Sequence, residues 1–281
     1  MKLQEFSAAI AMGELRGLRG GPQGAPRVIA QHGRQDNAAT ILPLSACLPE
    51  LDLVVPDLPG HGHSVHLGPG AEYTSGVAVN ALLDLADALG WEQFHLLGHS
   101  MGAGIASLVA ASSPQRVQSL VAIEALGGLS ETVARTAARW QEAIAAARAL
   151  PGKQLRLFSD LATPVRARMQ ANQLSEANAR LLVERGVRAV DGGYVWSSDQ
   201  RLTLPTPQRL DEAQVSALVA GIGCRTRVIY ATPAQSYFPE PLRSQRAGLL
   251  PQGELIVLPG THHLHMEDPI TVATAIGDFF Q

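Results

Sequence analysis

The stretch His95-Leu96-Leu97-Gly98-His99-Ser100-Met101-Gly102 decides how this chain folds. An apolar run leads into a serine flanked by Gly98 and Gly102, and the helix-compatible run Ala103–Ala111 follows. The pattern reads as strand, sharp turn and helix start, with Ser100 at the turn. The G-x-S-x-G spacing has a steric reason, because a backbone that folds tightly beneath a serine leaves no room for side chains beside it. The helix that follows aims its first N–H groups at the same point.

Working outward from the turn, short apolar runs recur at Arg27–Gln31, Leu51–Pro56, Phe94–Leu97, Leu120–Ile123, Arg227–Tyr230 and Glu254–Leu258. Several are nearly unbroken, as expected for strands covered on both faces of a parallel sheet. Helical spacing appears between them. Gly76–Leu89 places Val79, Leu82, Leu83, Ala86 and Leu89 on one face, and Pro269–Phe280 does the same with Val272, Ala273, Ile276 and Phe280. Strand and helix alternate, which predicts an α/β fold with a mostly parallel central sheet and flanking helices. Leu3–Leu18 reads as an N-terminal hairpin.

The alternation stops after Leu126. Residues 127–222 lack strong buried strands and carry amphipathic helical patterns at Glu131–Leu150, Glu176–Arg185 and Asp211–Val219. The expected division is a core of residues 1–126 and 223–281 with a helical cap, 127–222, inserted between two strands. The arginines of this insert, Arg168 and Arg185 among them, read either as a solvated surface or as a lining for an anionic substrate.

Composition narrows the function classes. Hydrophobic residues make up 46% of the 281, and charged residues 17%, as in an ordinary globular protein with a large core. A net charge of −3 gives no reason to expect a nucleic-acid partner. No basic segment followed by an apolar run opens the chain, and no stretch approaches the roughly 20 apolar residues of a membrane helix. Cys47 and Cys224 are far apart, at no metal-like spacing, and are expected as thiols. The expectation is a cytoplasmic protein acting on a small molecule, with no membrane partner and with a homodimer allowed.

A serine hydroxyl needs a base, a group that orients the base, and donors for a developing oxyanion. The base is expected in Pro259–Glu267, after the last strand. His262 is the first candidate and His263 its rival, while His265 is expected to pack inward. No acid follows Val228–Tyr230 until Glu240, so the orienting carboxylate is assigned to Glu124, at the tip of the strand Leu120–Ile123. Asp199 and Asp36 remain alternatives. The oxyanion donors are expected from the N–H groups of Met101 and Arg34, with Gly33 permitting close approach. Gly33, His99 and Trp196 are candidate substrate contacts. A competing reading takes His61, His63 and His66, with the His262–His265 cluster, as metal ligands.

The turn at His32–Gly33, the run Asp57-Leu58-Pro59-Gly60-His61-Gly62, the elbow Gly98–Gly102 and His262 before Glu267–Pro269 together resemble the α/β-hydrolase superfamily. Asp36–Ala39, Arg185–Gly186, Tyr194–Asp199 and Gly260–His265 resemble its serine hydrolase-like group. The resemblance implies an α/β-hydrolase fold, no cofactor, and cleavage of an ester-type bond through an acyl-enzyme. Serine at the elbow, where dehalogenases and epoxide hydrolases use aspartate, argues against those reactions. A carbon–carbon, thioester or lactone substrate, or a ligand-binding role without catalysis, fits the same motifs.

Overall fold

The computed structural model describes residues 1–281. An antiparallel hairpin, β1 (Gln4–Ile10) and β2 (Gly13–Gly20), opens the chain. Then come β3 (Arg27–Gln31), α1 (Leu42–Ala46), β4 (Asp52–Pro56), α2 (Ser75–Ala88), β5 (Phe94–His99), α3 (Met101–Ser112) and β6 (Val117–Ile123). The inserted segment contributes α4 (Thr136–Ala149), α5 (Ala162–Asn172), α6 (Glu176–Gly186), β7 (Val187–Val190), β8 (Gly193–Trp196) and α7 (Glu212–Ala220). The chain closes with β9 (Arg225–Thr232), α8 (Leu242–Ala247), β10 (Gly253–Pro259), α9 (Leu264–Glu267) and α10 (Pro269–Ile276).

Eight strands form one sheet in the order β1-β2-β4-β3-β5-β6-β9-β10, parallel from β4 to β10. Side chains alternate across it, so the strands between the two edges feed two cores. Ile29, Leu96, Leu120 and Val228 pack with Leu82 and Leu85 of α2 and Val109 of α3. Their neighbours Val28, Leu97, Val121 and Ile229 pack with Leu44 of α1 and Val272 and Ile276 of α10. β3 pairs with β4 on one side and β5 on the other, so the chain order reverses there. Loops leaving β3 and β5 diverge to opposite faces and open a crevice at their C-terminal ends. Ser100 stands in that crevice.

The inserted segment differs from expectation in three ways. β7 and β8 form a small antiparallel sheet around the turn at Asp191–Gly192, where φ of Gly192 is +81°. Its strands are short and mostly half-buried, so they carry no apolar run to read. Helix α5 has no strong amphipathic pattern and was not anticipated. The last helix, α7, packs on α3, and its Val215 and Val219 join the sheet core, so the 127–222 boundary includes a helix that belongs with the core. Cys47 and Cys224 are free and half-buried. No helix is long and apolar enough to cross a membrane.

Candidate active site

Ser100 has φ of +52° and ψ of −118°, a conformation that side chains rarely adopt. The two glycines make it possible. A Cβ at Gly98 would lie 2.5 Å from the Ala103 Cα, and one at Gly102 would lie 2.5 Å from the Gln31 carbonyl oxygen. The Ser100 N–H donates to the Ile123 carbonyl at 2.8 Å, which ties the elbow to β6.

His262 reaches Ser100 from the loop after β10, with 2.9 Å between Nε2 and the serine Oγ. Its Nδ1 lies 3.0 Å from Oε2 of Glu124. A carboxylate only accepts, so Nδ1 carries the proton and Nε2 presents its lone pair to the serine hydroxyl. Glu124 directly follows β6, is buried, and has φ of +60°. Its Oε1 accepts the Ala231 N–H at 2.5 Å, so both carboxylate oxygens are engaged. Arg243 lies behind it, buried, 3.7 Å from Oε1 and donating to the Ala231 carbonyl at 2.9 Å. Sequence reasoning missed Arg243, because nothing in its local pattern separates it from a solvated arginine of α8.

The rival assignments separate cleanly in space. His263 points away from Ser100, with Nε2 3.2 Å from Oδ2 of Asp36. His265 is buried against Thr40, 2.9 Å from its Oγ1. Asp36 also pairs with Arg168 of α5, and burial opposing its charge is outweighed by His263 and Arg168, which hold its carboxyl well below the usual range. Asp199 accepts from the Tyr73 hydroxyl at 2.8 Å and from Arg201. Neither aspartate is bonded to His262.

Met101 opens α3, so its N–H has no acceptor inside the helix. Arg34 follows Gly33 in the loop leaving β3, and its side chain reaches the Leu202 carbonyl at 3.2 Å. No backbone or side-chain oxygen takes up its N–H. Gly33 packs so tightly that a Cβ would lie 2.9 Å from Asp36 Oδ2 and 3.0 Å from His99 Nδ1.

One expected substrate contact, His99, needs correction. The ring of His99 is 1% exposed and donates through Nε2 to the His262 carbonyl at 2.8 Å, so it supports the base loop and has no open face. Trp196 is partly buried within the inserted segment, edge-on to Phe158 and close to Gly186. A side chain that was not anticipated stands by the site instead. The Tyr237 hydroxyl is 3.3 Å and 3.4 Å from the two ring nitrogens of His262.

The histidines expected as a metal set do not converge. His61 is buried, bonded to the Pro59 carbonyl, and burial drives its pKa down to about 3. His63 gives its N–H to Asp57, and His66 lies by Asp199. Asp36, His99 and His263 do bring ligand atoms within 4.8 Å of one another, but Arg168 already occupies the other oxygen of that carboxylate. Arg185, a buried arginine of the insert, grips Asp57 with its Nε and one terminal nitrogen, 2.8 Å at closest. Both arginines dock the insert on the core and leave neither guanidinium free for an anionic substrate.

A family model described as alpha/beta hydrolase fold matches residues 26–210, about two thirds of the chain and including the elbow. The chain belongs to the α/β-hydrolase family. It is similar to a serine hydrolase-like protein of Danio rerio, 28% identical over 293 residues, covering 99% of this chain and 88% of that protein. Serine hydrolase-like protein 2 of Homo sapiens is 27% identical and covers 99% of this chain and 94% of its own length. A hypothetical protein of Pseudomonas aeruginosa has a crystal structure that superposes with a TM-score of 0.93 at 36% identity, covering 99% of each chain. As a serine hydrolase-like α/β-hydrolase, this protein is a hydrolase.

Proposed function

We propose that this hydrolase cleaves an ester-type bond of a small molecule through an acyl-enzyme on Ser100. One observation carries the reading: a continuous hydrogen-bond relay runs from Ser100 Oγ through His262 to Glu124, at 2.9 Å and 3.0 Å. Ser100 attacks the substrate carbonyl while His262 Nε2 takes its proton. The Met101 and Arg34 N–H groups face the oxyanion that forms. The imidazolium, stabilised by Glu124, then protonates the departing alcohol. Water repeats the sequence on the acyl-enzyme and releases the acid. The insert, held down by Arg168 and Arg185, acts as a cap over the crevice. Neither step requires a cofactor.

The test is labelling by a fluorophosphonate, with Ser100→Ala, His262→Ala and Glu124→Gln as comparisons. Labelled wild type, no label on Ser100→Ala, and strongly slowed labelling of the other two are expected. A folded wild type that takes no label overturns the reading.

A further inference from the structure

The chemistry proposed for Ser100 needs three segments in register, and they are remote in sequence. The loop leaving β3 brings the Arg34 N–H, β5 brings the serine, and the loop after β10 brings His262. One buried carboxylate lies where all three meet. Asp36 is 3% exposed and belongs to the β3 loop, where its own N–H donates to the Gly33 carbonyl at 3.2 Å. Its Oδ2 accepts from His263, the residue next to His262, at 3.2 Å. The same oxygen packs 4.0 Å from Nδ1 of His99, the residue before Ser100. The His99 ring in turn donates to the His262 carbonyl. The fourth contact comes from outside the core: Arg168 of α5 bonds Oδ1 and also donates to the Gln35 carbonyl at 3.1 Å.

We infer that Asp36 is a positioning residue for the proposed serine hydrolysis, and that Arg168 couples the inserted segment to the base loop through it. The inference rests on the reading of Ser100 and His262 given above. Two physical facts support it. A carboxylate accepts only along its lone-pair directions, so it fixes orientation in a way apolar packing does not. A buried charge must also be paired, so without Arg168 the carboxylate would lose its guanidinium partner and keep only the imidazoles of His263 and His99 beside it. The insert therefore stabilises the geometry in which Asp36 holds His263, and with it the adjacent His262. Displacing a reacting group by about 1 Å costs on the order of 10²-fold in rate.

The variants are Asp36→Asn, Arg168→Met and the double substitution, with Asp57→Asn as control. Asp57→Asn breaks a different buried ion pair between insert and core, one that makes no contact with the His262 loop. Thermal midpoints are measured alongside kcat and KM on p-nitrophenyl acetate. Proton NMR follows the downfield Nδ1–H of His262. Asp36→Asn is expected to lower kcat about 10²-fold with KM within about twofold. Arg168→Met should lower kcat less, and the double variant should be no worse than Asp36→Asn, because both act through one contact. The His262 resonance should exchange faster with solvent in both single variants, while Asp57→Asn keeps kcat and the resonance.

A folded Asp36→Asn with wild-type kcat overturns the inference, as does an equal kcat loss in Asp57→Asn. If Asp36→Asn does not fold, Arg168→Met decides: an unchanged kcat and resonance refutes the coupling, and a kcat loss at constant KM supports it. A wild type inert to both fluorophosphonate and ester refutes the hydrolytic reading alone. The resonance then reports the positioning on its own, faster exchange in Asp36→Asn supporting it and no change refuting it.

Discussion

Glu124 stands with φ of +60°, a region costly for any residue with a side chain, and the surrounding bonds hold it there. Its N–H is taken by the Ile229 carbonyl at 2.9 Å, and its two oxygens serve Ala231 and His262. This division of labour predicts what an amide would do. In Glu124→Gln the single carbonyl oxygen is needed by the Ala231 N–H, so the NH2 group faces His262 Nδ1. The imidazole must then carry its proton on Nε2, where it cannot accept one from Ser100. Steady-state ester hydrolysis is expected to fall about 10⁴-fold with folding preserved. Ser100→Ala, which removes the proposed nucleophile, is expected to lose on the order of 10⁶ in kcat. Turnover by Glu124→Gln near the wild-type rate would mean that another group orients the base. The chain announces both residues, the serine by its glycines and the glutamate by being charged directly after a buried strand. It does not announce Arg243 or Tyr237, because their importance lies in what they face.

At the scale of elements, the loops after β3 and β4 meet the insert through ion pairs on buried carboxylates. Asp57, fully buried after β4, binds Arg185 of α6 and also accepts the Ala38 and His63 N–H groups at 2.7 Å and 3.0 Å. Asp57→Asn leaves Arg185 with only the exposed Glu5 carboxylate at 2.5 Å, so it is expected to destabilise the fold by about 1–3 kcal/mol. Urea unfolding followed by circular dichroism measures it, and a loss under about 1 kcal/mol would show that solvent reaches Arg185. The elbow is equally intolerant of bulk. A Cβ at Gly102 would press on the β3 backbone at Gln31, so Gly102→Ala is expected to lower the thermal midpoint by several degrees, read by calorimetry. The parallel strands of the sheet were legible because each carries a short apolar run between turn residues. β7, β8 and α5 were not, because a half-exposed element of an insert carries too few buried positions to print a period.

Over the whole molecule, acid should act through buried neutral histidines. Burial, reinforced by His32, lowers the pKa of His61 to about 3, and burial with nearby histidines takes His99 and His265 well below 6.5. A histidine whose folded pKa lies below its unfolded value favours the neutral fold. Its stabilisation is complete above about pH 6.5 and is lost as pH falls toward the folded pKa. For His61 that window runs from 6.5 down to about 3, at about 1.4 kcal/mol per pH unit. Asp36 works in the same direction lower down, since its depressed pKa makes its contribution fade as pH drops below the ordinary carboxylate range. Urea midpoints measured from pH 7.5 to 4.5 are expected to fall steadily below pH 6.5. A flat profile would place these rings in contact with water.

The amino-acid sequence by itself determined the strand and helix alternation, the serine turn and the location of the histidine-rich loop after the last strand. These are local properties, written as hydrophobic period, glycine spacing and turn composition over a few consecutive residues. Only the tertiary structure showed which histidine lies within hydrogen-bond reach of Ser100, which carboxylate lies beside that histidine, and which arginines of the insert are docked on the core. Adjacent histidines have the same composition and spacing. What separates them is direction, one ring turned to Ser100 and the other to Asp36, and direction is set by partners 162 and 227 residues away in the chain.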